Sequence, residues 1–81
     1  MQISEFLTQA HLRIQARKGQ KITQAEMARG LGISSRTYIE YLRGTNAPIG
    51  MHALLNVVSM LEERDLGELL QKWKMEQPKA K

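Results

Sequence analysis

Residues 23–44, TQAEMARGLGISSRTYIEYLRG, carry the start and stop signals of two short helices. Thr23 and Glu26 form a capping-box pattern, and Ser34 is a natural N-cap. Gly44 closes the second segment, because glycine is favoured just past the end of a helix. The sequence therefore predicts one helix from residue 23 to about 31 and another from residue 35 to about 43.

The two predicted helices must cross closely, because so few residues separate them. A close crossing needs a small residue at the contact, and the turn needs a residue that tolerates positive φ. Ala28 and Gly32 are those residues, and Ile33 is expected to fill the turn. Tyr38 and Tyr41 lie three residues apart, which places both on the inward side of the second helix.

Three further segments have helical periodicity, and no segment alternates like a strand. The first, with Ser4 as its cap, has Phe6, Leu7, Ala10 and Ile14 inward and ends near Lys18. The fourth helix is marked by Met51, Leu54, Leu55, Val58 and Leu61. The fifth is expected to start at Asp65, paired with Glu68, and its apolar residues are Leu66, Leu69, Leu70 and Trp73. We expect an all-α, compact five-helix domain over residues 1–75 and a flexible basic tail over residues 76–81.

The composition excludes several kinds of site. The chain has no cysteine, which excludes a disulfide framework and the commonest structural zinc sites. His11 and His52 have no acidic partner at ligand spacing, so each is expected at the surface or the core edge rather than as a metal ligand or base. Without a carboxylate pair, a nucleophile and base, or a glycine-rich phosphate loop, the sequence predicts no enzyme, cofactor or small-molecule ligand.

No apolar stretch approaches the ~20 residues that span a bilayer. The N-terminus also lacks the pattern of a secretory signal. We therefore expect no membrane partner and a cytoplasmic location.

The positive charge is concentrated on the segment that carries the two short helices. The chain has a net charge of +4, and residues 13–43 hold seven basic side chains against two acidic ones, a local balance of +5. Residues 44–71 have a balance of −3. A basic block of this kind is typical of a polyanion-binding surface, although a solvated charged face would have the same composition.

The outward face of the second short helix has no structural role in this arrangement. With the tyrosines inward, the helical repeat turns Ser35, Arg36, Ile39 and Glu40 outward. A helix of this length is ~15 Å long and fits a DNA major groove ~12 Å wide. Base recognition by these side chains is therefore one hypothesis, and a solvated helix with an Arg36 and Glu40 ion pair is the alternative.

The segment TQAEMARGLGISSRTYIEYLRG resembles the helix-turn-helix of the Cro and phage-repressor family, the lambda-repressor-like domain. In that family a Gln opens the second helix, Ala lies at the crossing and Gly at the turn. The following GTNAPIGMHALLNVVSML resembles the family's loop with Pro and its fourth helix. The resemblance covers roughly residues 5–72. Tyr38 and Tyr41 depart from it, since aliphatic residues or Trp are usual there, as does Leu42, where Glu is frequent.

The resemblance implies a division of roles among residues of the second and third helices. Base edges would be read by Ser35, Arg36, Ile39 and Glu40. Phosphates would be bound by Gln24, Thr37, Arg43, Thr45 and Asn46. The protein would then be a sequence-specific regulator of transcription that binds double-stranded DNA in the nucleoid.

A dimer is expected, because one recognition helix reads only four or five base pairs. Two copies about a twofold axis would read an inverted repeat. Leu66, Leu69, Leu70 and Trp73 are the predicted dimer interface, although they could instead complete the core of one chain. Our preferred hypothesis is a repressor of phage, plasmid or mobile-element type that occludes a promoter. The alternatives are an antitoxin or restriction controller whose fifth helix binds a partner protein, and a protein-interaction module.

Overall fold

The structure, a computed structural model, describes residues 1–45 and 49–76. Within these residues the chain forms five helices and no strand, which confirms the all-α prediction. They are α1 (Ile3–Lys18), α2 (Gln24–Leu31), α3 (Ser35–Arg43), α4 (Met51–Met60) and α5 (Glu63–Glu76). The predicted tail begins at the last residue of α5, and the rest of it lies outside the described residues. None of the helices in the described ranges is long and apolar enough to cross a bilayer.

The predicted bounds of α2 and α3 are confirmed, and so are their caps. The Thr23 N–H donates to Glu26 Oε1 at 2.8 Å, and the Glu26 N–H donates to Thr23 Oγ1 at 3.1 Å. At the start of α3 the Thr37 N–H donates to Ser34 Oγ at 3.1 Å. These bonds satisfy amides that have no carbonyl partner within a helix.

The corner between α2 and α3 is a left-handed turn at Gly32. Its φ is 75°, a region that residues with a Cβ rarely adopt. The Gly32 N–H donates to Arg29 O at 3.2 Å and the Ile33 N–H donates to Ala28 O at 3.0 Å, which is the Schellman arrangement. Ile33 packs against the core, so the predicted roles of Gly32 and Ile33 are confirmed.

The core lies where α3 packs on α1 and α2, with α5 against α1, and α4 packs on α2 and α1. Its buried apolar side chains are Phe6, Leu7, Ala10, Ile14, Ile22, Met27, Ala28, Leu31, Tyr38, Ala53, Val57, Leu61 and Leu69. Tyr38 is completely buried, and Tyr41 is partly buried against the same cluster. The predicted inward sides of α1 and α3 are therefore confirmed.

Two predicted helix starts are wrong. The N-cap of α1 is Gln2 rather than Ser4, and the Gln2 N–H donates to Glu5 Oε1 at 3.1 Å. The start of α5 lies two residues before Asp65. Asp65 does not cap the helix because its carboxylate binds arginines of α1 instead.

The predicted inward face of α4 is also partly wrong. Ala53 and Val57 are buried, whereas Met51 and Leu55 are 72% and 54% exposed. The helix carries two apolar stripes, since Met51 and Leu55 lie on one side and Ala53 and Val57 on another. Periodicity marks α4 as a helix, but packing against α1 and α2 decides which stripe is buried.

An ion cluster joins α1 to α5. Arg13 Nη1 lies 3.1 Å from Asp65 Oδ1, and Arg17 Nε lies 2.8 Å from Asp65 Oδ2. Arg13 also binds Glu68. The hydrogen bond from Arg17 holds the pKa of the Asp65 carboxyl below its usual value against the opposing effect of burial, and Arg13 lowers it further. Two of the seven cations in residues 13–43 are therefore bound to acidic side chains of α5.

We expect the stability of the protein to fall in acid because of this cluster. The pKa of Asp65 is lower in the folded chain, so its contribution is present above the unfolded pKa and is lost as the pH falls from about 5 through the folded pKa. Asp65→Asn should lower the free energy of unfolding at pH 7 and flatten its decline in acid. Urea unfolding at a series of pH values measures both effects. Glu63→Gln is the control, and an unchanged acid profile for Asp65→Asn would contradict the assignment.

The turn at Gly32 leads to a second prediction. Gly32→Ala should lower the free energy of unfolding by about 1–2 kcal/mol, because the left-handed conformation strains a residue with a Cβ. A Cβ there would meet no atom within 4 Å, so backbone strain is the only cause. Gly67→Ala, in the interior of α5 and also without a close neighbour, should instead raise it by up to about 1 kcal/mol. Denaturant unfolding at one protein concentration compares them, and equal effects would contradict the prediction.

Candidate nucleic-acid interface

The outward side of α3 presents the predicted base-reading residues together. Ser35 and Arg36 are exposed, and Ile39 and Glu40 are partly exposed. On the opposite side Tyr38 is completely buried. Burial of Tyr38 fixes which side of α3 faces the core, so the other four side chains are left on one surface.

Arg36 and Glu40 also form the ion pair expected for a solvated helix. Arg36 Nε lies 3.5 Å from Glu40 Oε2, and the Arg36 side chain is 90% exposed. A surface pair one helical turn apart contributes about 0.3–0.5 kcal/mol. A bidentate arginine contact with guanine contributes about 1–3 kcal/mol. The pair is therefore weak enough for a base to replace it.

The N-terminus of α2 has the features of a phosphate contact. Gln24 is its first residue and is exposed. The capping box uses the amides of Thr23 and Glu26, and the bond from the Thr23 backbone lowers the pKa of the Glu26 carboxyl. The amides of Gln24 and Ala25 remain for an outside acceptor, at the end of the helix where the dipole favours anions.

The end of α3 places further polar groups at the surface. The Gly44 N–H donates to Tyr41 O at 3.2 Å, and the Thr45 N–H donates to Glu40 O at 3.1 Å. This Schellman turn leaves the side chains of Arg43 and Thr45 exposed. Asn46, also predicted as a phosphate contact, lies outside the described residues.

Thr37 has a second role besides the predicted phosphate contact. Its Oγ1 accepts a hydrogen bond from the Ser34 hydroxyl at 2.8 Å, which strengthens the cap of α3. The side chain is partly buried. Its own hydroxyl proton is still available for a phosphate oxygen.

Some cations of residues 13–43 bind acidic residues within the fold, and others lie at the surface. Arg13 and Arg17 bind acidic residues of α5. Lys21 lines an open cleft together with Thr23 and Gln24. In the sequence, the signal for this ion cluster was the spacing of Arg13 and Arg17 by one turn of α1. Two basic side chains at that spacing can bind the clustered carboxylates of another helix.

The predicted dimer residues are mostly part of the core of one chain. Leu69 is completely buried, so it has no surface to offer a second chain, and the prediction for this residue is corrected. Trp73 packs edge-on against Phe6, with ring centroids 6.3 Å apart. Leu66 is partly buried against the core, whereas Leu70 is 46% exposed.

Among residues 1–45 and 49–76, no three His, Asp or Glu side chains are grouped so that they could hold a metal ion. Both histidines lie where the sequence predicted, at the edge of the core or at the surface. His11 lies at the edge of the core and makes two hydrogen bonds there, whereas His52 is exposed on α4.

Comparison with known proteins agrees with this geometry. The family model described as helix-turn-helix matches residues 14–51, which include all of α2 and α3. Residues 14–51 therefore resemble a helix-turn-helix of the Cro and phage-repressor type, as the sequence predicted. The five helices of the chain are consistent with a lambda-repressor-like bundle, and the match supports a DNA-binding regulator of transcription. No curated protein and no solved structure matches the chain.

The two phosphate assignments predict different dependences on salt. Arg43→Gln should weaken binding to all duplexes alike and reduce the slope of log affinity against log salt by about 1, because one fewer counterion is released. Gln24→Ala should also weaken binding to all duplexes, but with an unchanged slope, since glutamine carries no charge. Fluorescence anisotropy titrations at several salt concentrations measure both quantities.

Gln71→Ala, an exposed glutamine on α5, is the matched control for Gln24→Ala. It should leave affinity unchanged. A loss restricted to one DNA sequence would contradict the phosphate assignment of the residue concerned.

Proposed function

We propose that this helix-turn-helix protein is a dimeric repressor that binds an inverted-repeat operator and occludes a promoter. It would act on DNA of the nucleoid in the cytoplasm, in a regulatory circuit of phage, plasmid or mobile-element type. The observation that carries the proposal is the orientation of α3. Tyr38 is buried beneath it, and an exposed arginine, Arg36, lies at its N-terminal end.

Specific recognition follows from the division of contacts between α2 and α3. The N-terminus of α2, with Gln24, and the end of α3, with Arg43 and Thr45, bind phosphates and set the position of the domain on the duplex. Arg36 bonds guanine O6 and N7, and Ile39 contacts a thymine methyl group. Ser35 and Glu40 complete the base-reading set, with Glu40 accepting from a cytosine amino group.

A dimer is needed because one α3 contacts too few base pairs to identify a site in a genome. Two chains about a twofold axis place their recognition helices one turn of DNA, ~34 Å, apart and double the number of base contacts. The exposed part of α5 supports a contact through Leu70, with Leu66 beside it. Leu69 and Trp73 then support that surface from within the chain.

Selection of bound duplexes from a random pool tests the proposal. The expected result is an inverted repeat whose half-site centres are separated by about one helical turn. Enrichment of a single half-site would contradict the dimer. Recovery of no preferred sequence would contradict specific recognition altogether.

The selected operator permits a direct test of Arg36. Arg36→Ala should cost about 1–3 kcal/mol on the operator and much less on a random duplex of equal length, because only the operator offers the guanine contact. Titrations at one salt concentration give the two affinities. Equal losses on the two duplexes would make Arg36 a phosphate contact.

Arg64→Ala is a matched control for this experiment. Arg64 Nε lies 3.7 Å from Glu68 Oε2, one helical turn away on α5, and its side chain is 81% exposed. The variant therefore removes the same kind of surface ion pair away from α3. It should leave both affinities unchanged.

A second candidate is an antitoxin or restriction controller that uses the same DNA contacts but also binds a partner protein. The observation that favours it is the apolar exposure on α5, where Leu70 is 46% and Met75 is 75% exposed. A neighbouring toxin or methyltransferase gene, with co-purification of its product, would support this reading. A dimer mass that Leu70→Lys converts to a monomer would favour the repressor.

A further inference from the structure

One side chain of α1 makes hydrogen bonds with α3 and with the segment just before α2. His11 Nδ1 lies 2.8 Å from the hydroxyl of Tyr38 in α3. His11 Nε2 lies 2.7 Å from the carbonyl oxygen of Ile22, just before α2. The base-reading function of the fold needs neither bond in itself, so the double contact calls for an explanation.

Side chains of α1 bind both the carbonyl and the N–H of Ile22, in the segment before α2. His11 binds the carbonyl oxygen, and the Ile22 N–H donates to Gln15 Oε1 at 2.9 Å. His11 and Gln15 lie one helical turn apart on α1, so their side chains are neighbours on the same face of the helix. Ile22 is two residues before Gln24, and α1 therefore sets where the phosphate-binding end of α2 begins.

The direction of the bond to Ile22 is fixed by chemistry, and the direction of the bond to Tyr38 follows from it when the ring is neutral. The Ile22 carbonyl can only accept, so Nε2 carries a proton and donates it. In the neutral ring Nδ1 is then an acceptor, and the Tyr38 hydroxyl donates to it. Burial raises the pKa of Tyr38 to about 12, so the hydroxyl keeps its proton at neutral pH. In this arrangement both ring nitrogens of His11 have hydrogen-bond partners.

We propose that His11 is a positioning residue for DNA recognition, which fixes the phosphate-binding end of α2 relative to the base-reading face of α3. The inference rests on the proposed function and assigns part of its specificity to a residue that touches no DNA. Tyr38 lies between Arg36 and Ile39 along α3, so a rotation of α3 about its axis at Tyr38 moves both base-reading side chains.

Base contacts and phosphate contacts differ in their tolerance of such a rotation. A bidentate contact with guanine requires both donors in one plane with the base. A phosphate contact is largely electrostatic and tolerates displacement. Loss of the His11 bonds should therefore weaken operator binding more than binding to random DNA.

Two single variants remove the same bond from opposite sides. Tyr38→Phe removes the hydroxyl, and His11→Gln keeps a donor for Ile22 in the place of Nε2 but has no ring nitrogen in the place of Nδ1. Each should reduce the ratio of operator to random-duplex affinity by about three- to tenfold. The double variant should lose little more than either single variant, because both remove one interaction.

Val57→Ala is the control for a purely structural effect. Val57 is completely buried in α4, so this variant lowers stability without touching the His11 bonds. It should leave the affinity ratio unchanged at a temperature where all variants are folded. A ratio that stays at the wild-type value in Tyr38→Phe and His11→Gln, or falls equally in Val57→Ala, overturns the inference.

The same titrations separate this inference from the proposed function. A wild-type protein that prefers no sequence overturns both. A wild-type protein that prefers its operator, with variants that keep the full preference, overturns the role of His11 alone. Additive losses in the double variant would show that the two side chains act independently, which also contradicts the proposal.

Discussion

The close packing of α2 against α3 is the constraint on which the rest of the structure depends. Two helices this short can bury their apolar sides together only if the chain reverses within a few residues, and the left-handed conformation of Gly32 makes this possible. Ala28 is nearly fully buried, which lets the helices approach at the crossing. Once that corner is formed, Tyr38 is enclosed and the opposite side of α3 must face outward. The surface proposed to read DNA is therefore a consequence of core packing.

The cations of residues 13–43 differ in whether they are bound to acidic residues within the fold or remain at the surface. A basic segment near DNA would be attracted to phosphates through all of its cations, but Arg13 and Arg17 are bound to Asp65 and Glu68. Their charge holds α5 on α1 instead. Lys21, Arg36 and Arg43 remain at the surface. These three cations lie on α3 and on the segment before α2, where orientation relative to the duplex matters.

Much of the fold was predictable because its signals are local. Capping boxes, glycines past helix ends and helical periodicity depend on residues a few positions apart, so the bounds of α2 and α3 were predicted correctly. The inward face of α4 was not, because two apolar stripes satisfy the same periodicity. The start of α5 was misplaced for a related reason: the carboxylate of Asp65 has its partners in α1, far away in the sequence.

The sequence by itself determined that this chain forms a helix-turn-helix and which side of α3 faces outward, since both follow from residues within a few turns of one another. Only the tertiary structure decided that Leu69 belongs to the core, that Arg13 and Arg17 serve α5, and that His11 joins Ile22 to Tyr38. These contacts connect residues that are distant along the chain. Their distances depend on how whole helices pack, which no local pattern encodes.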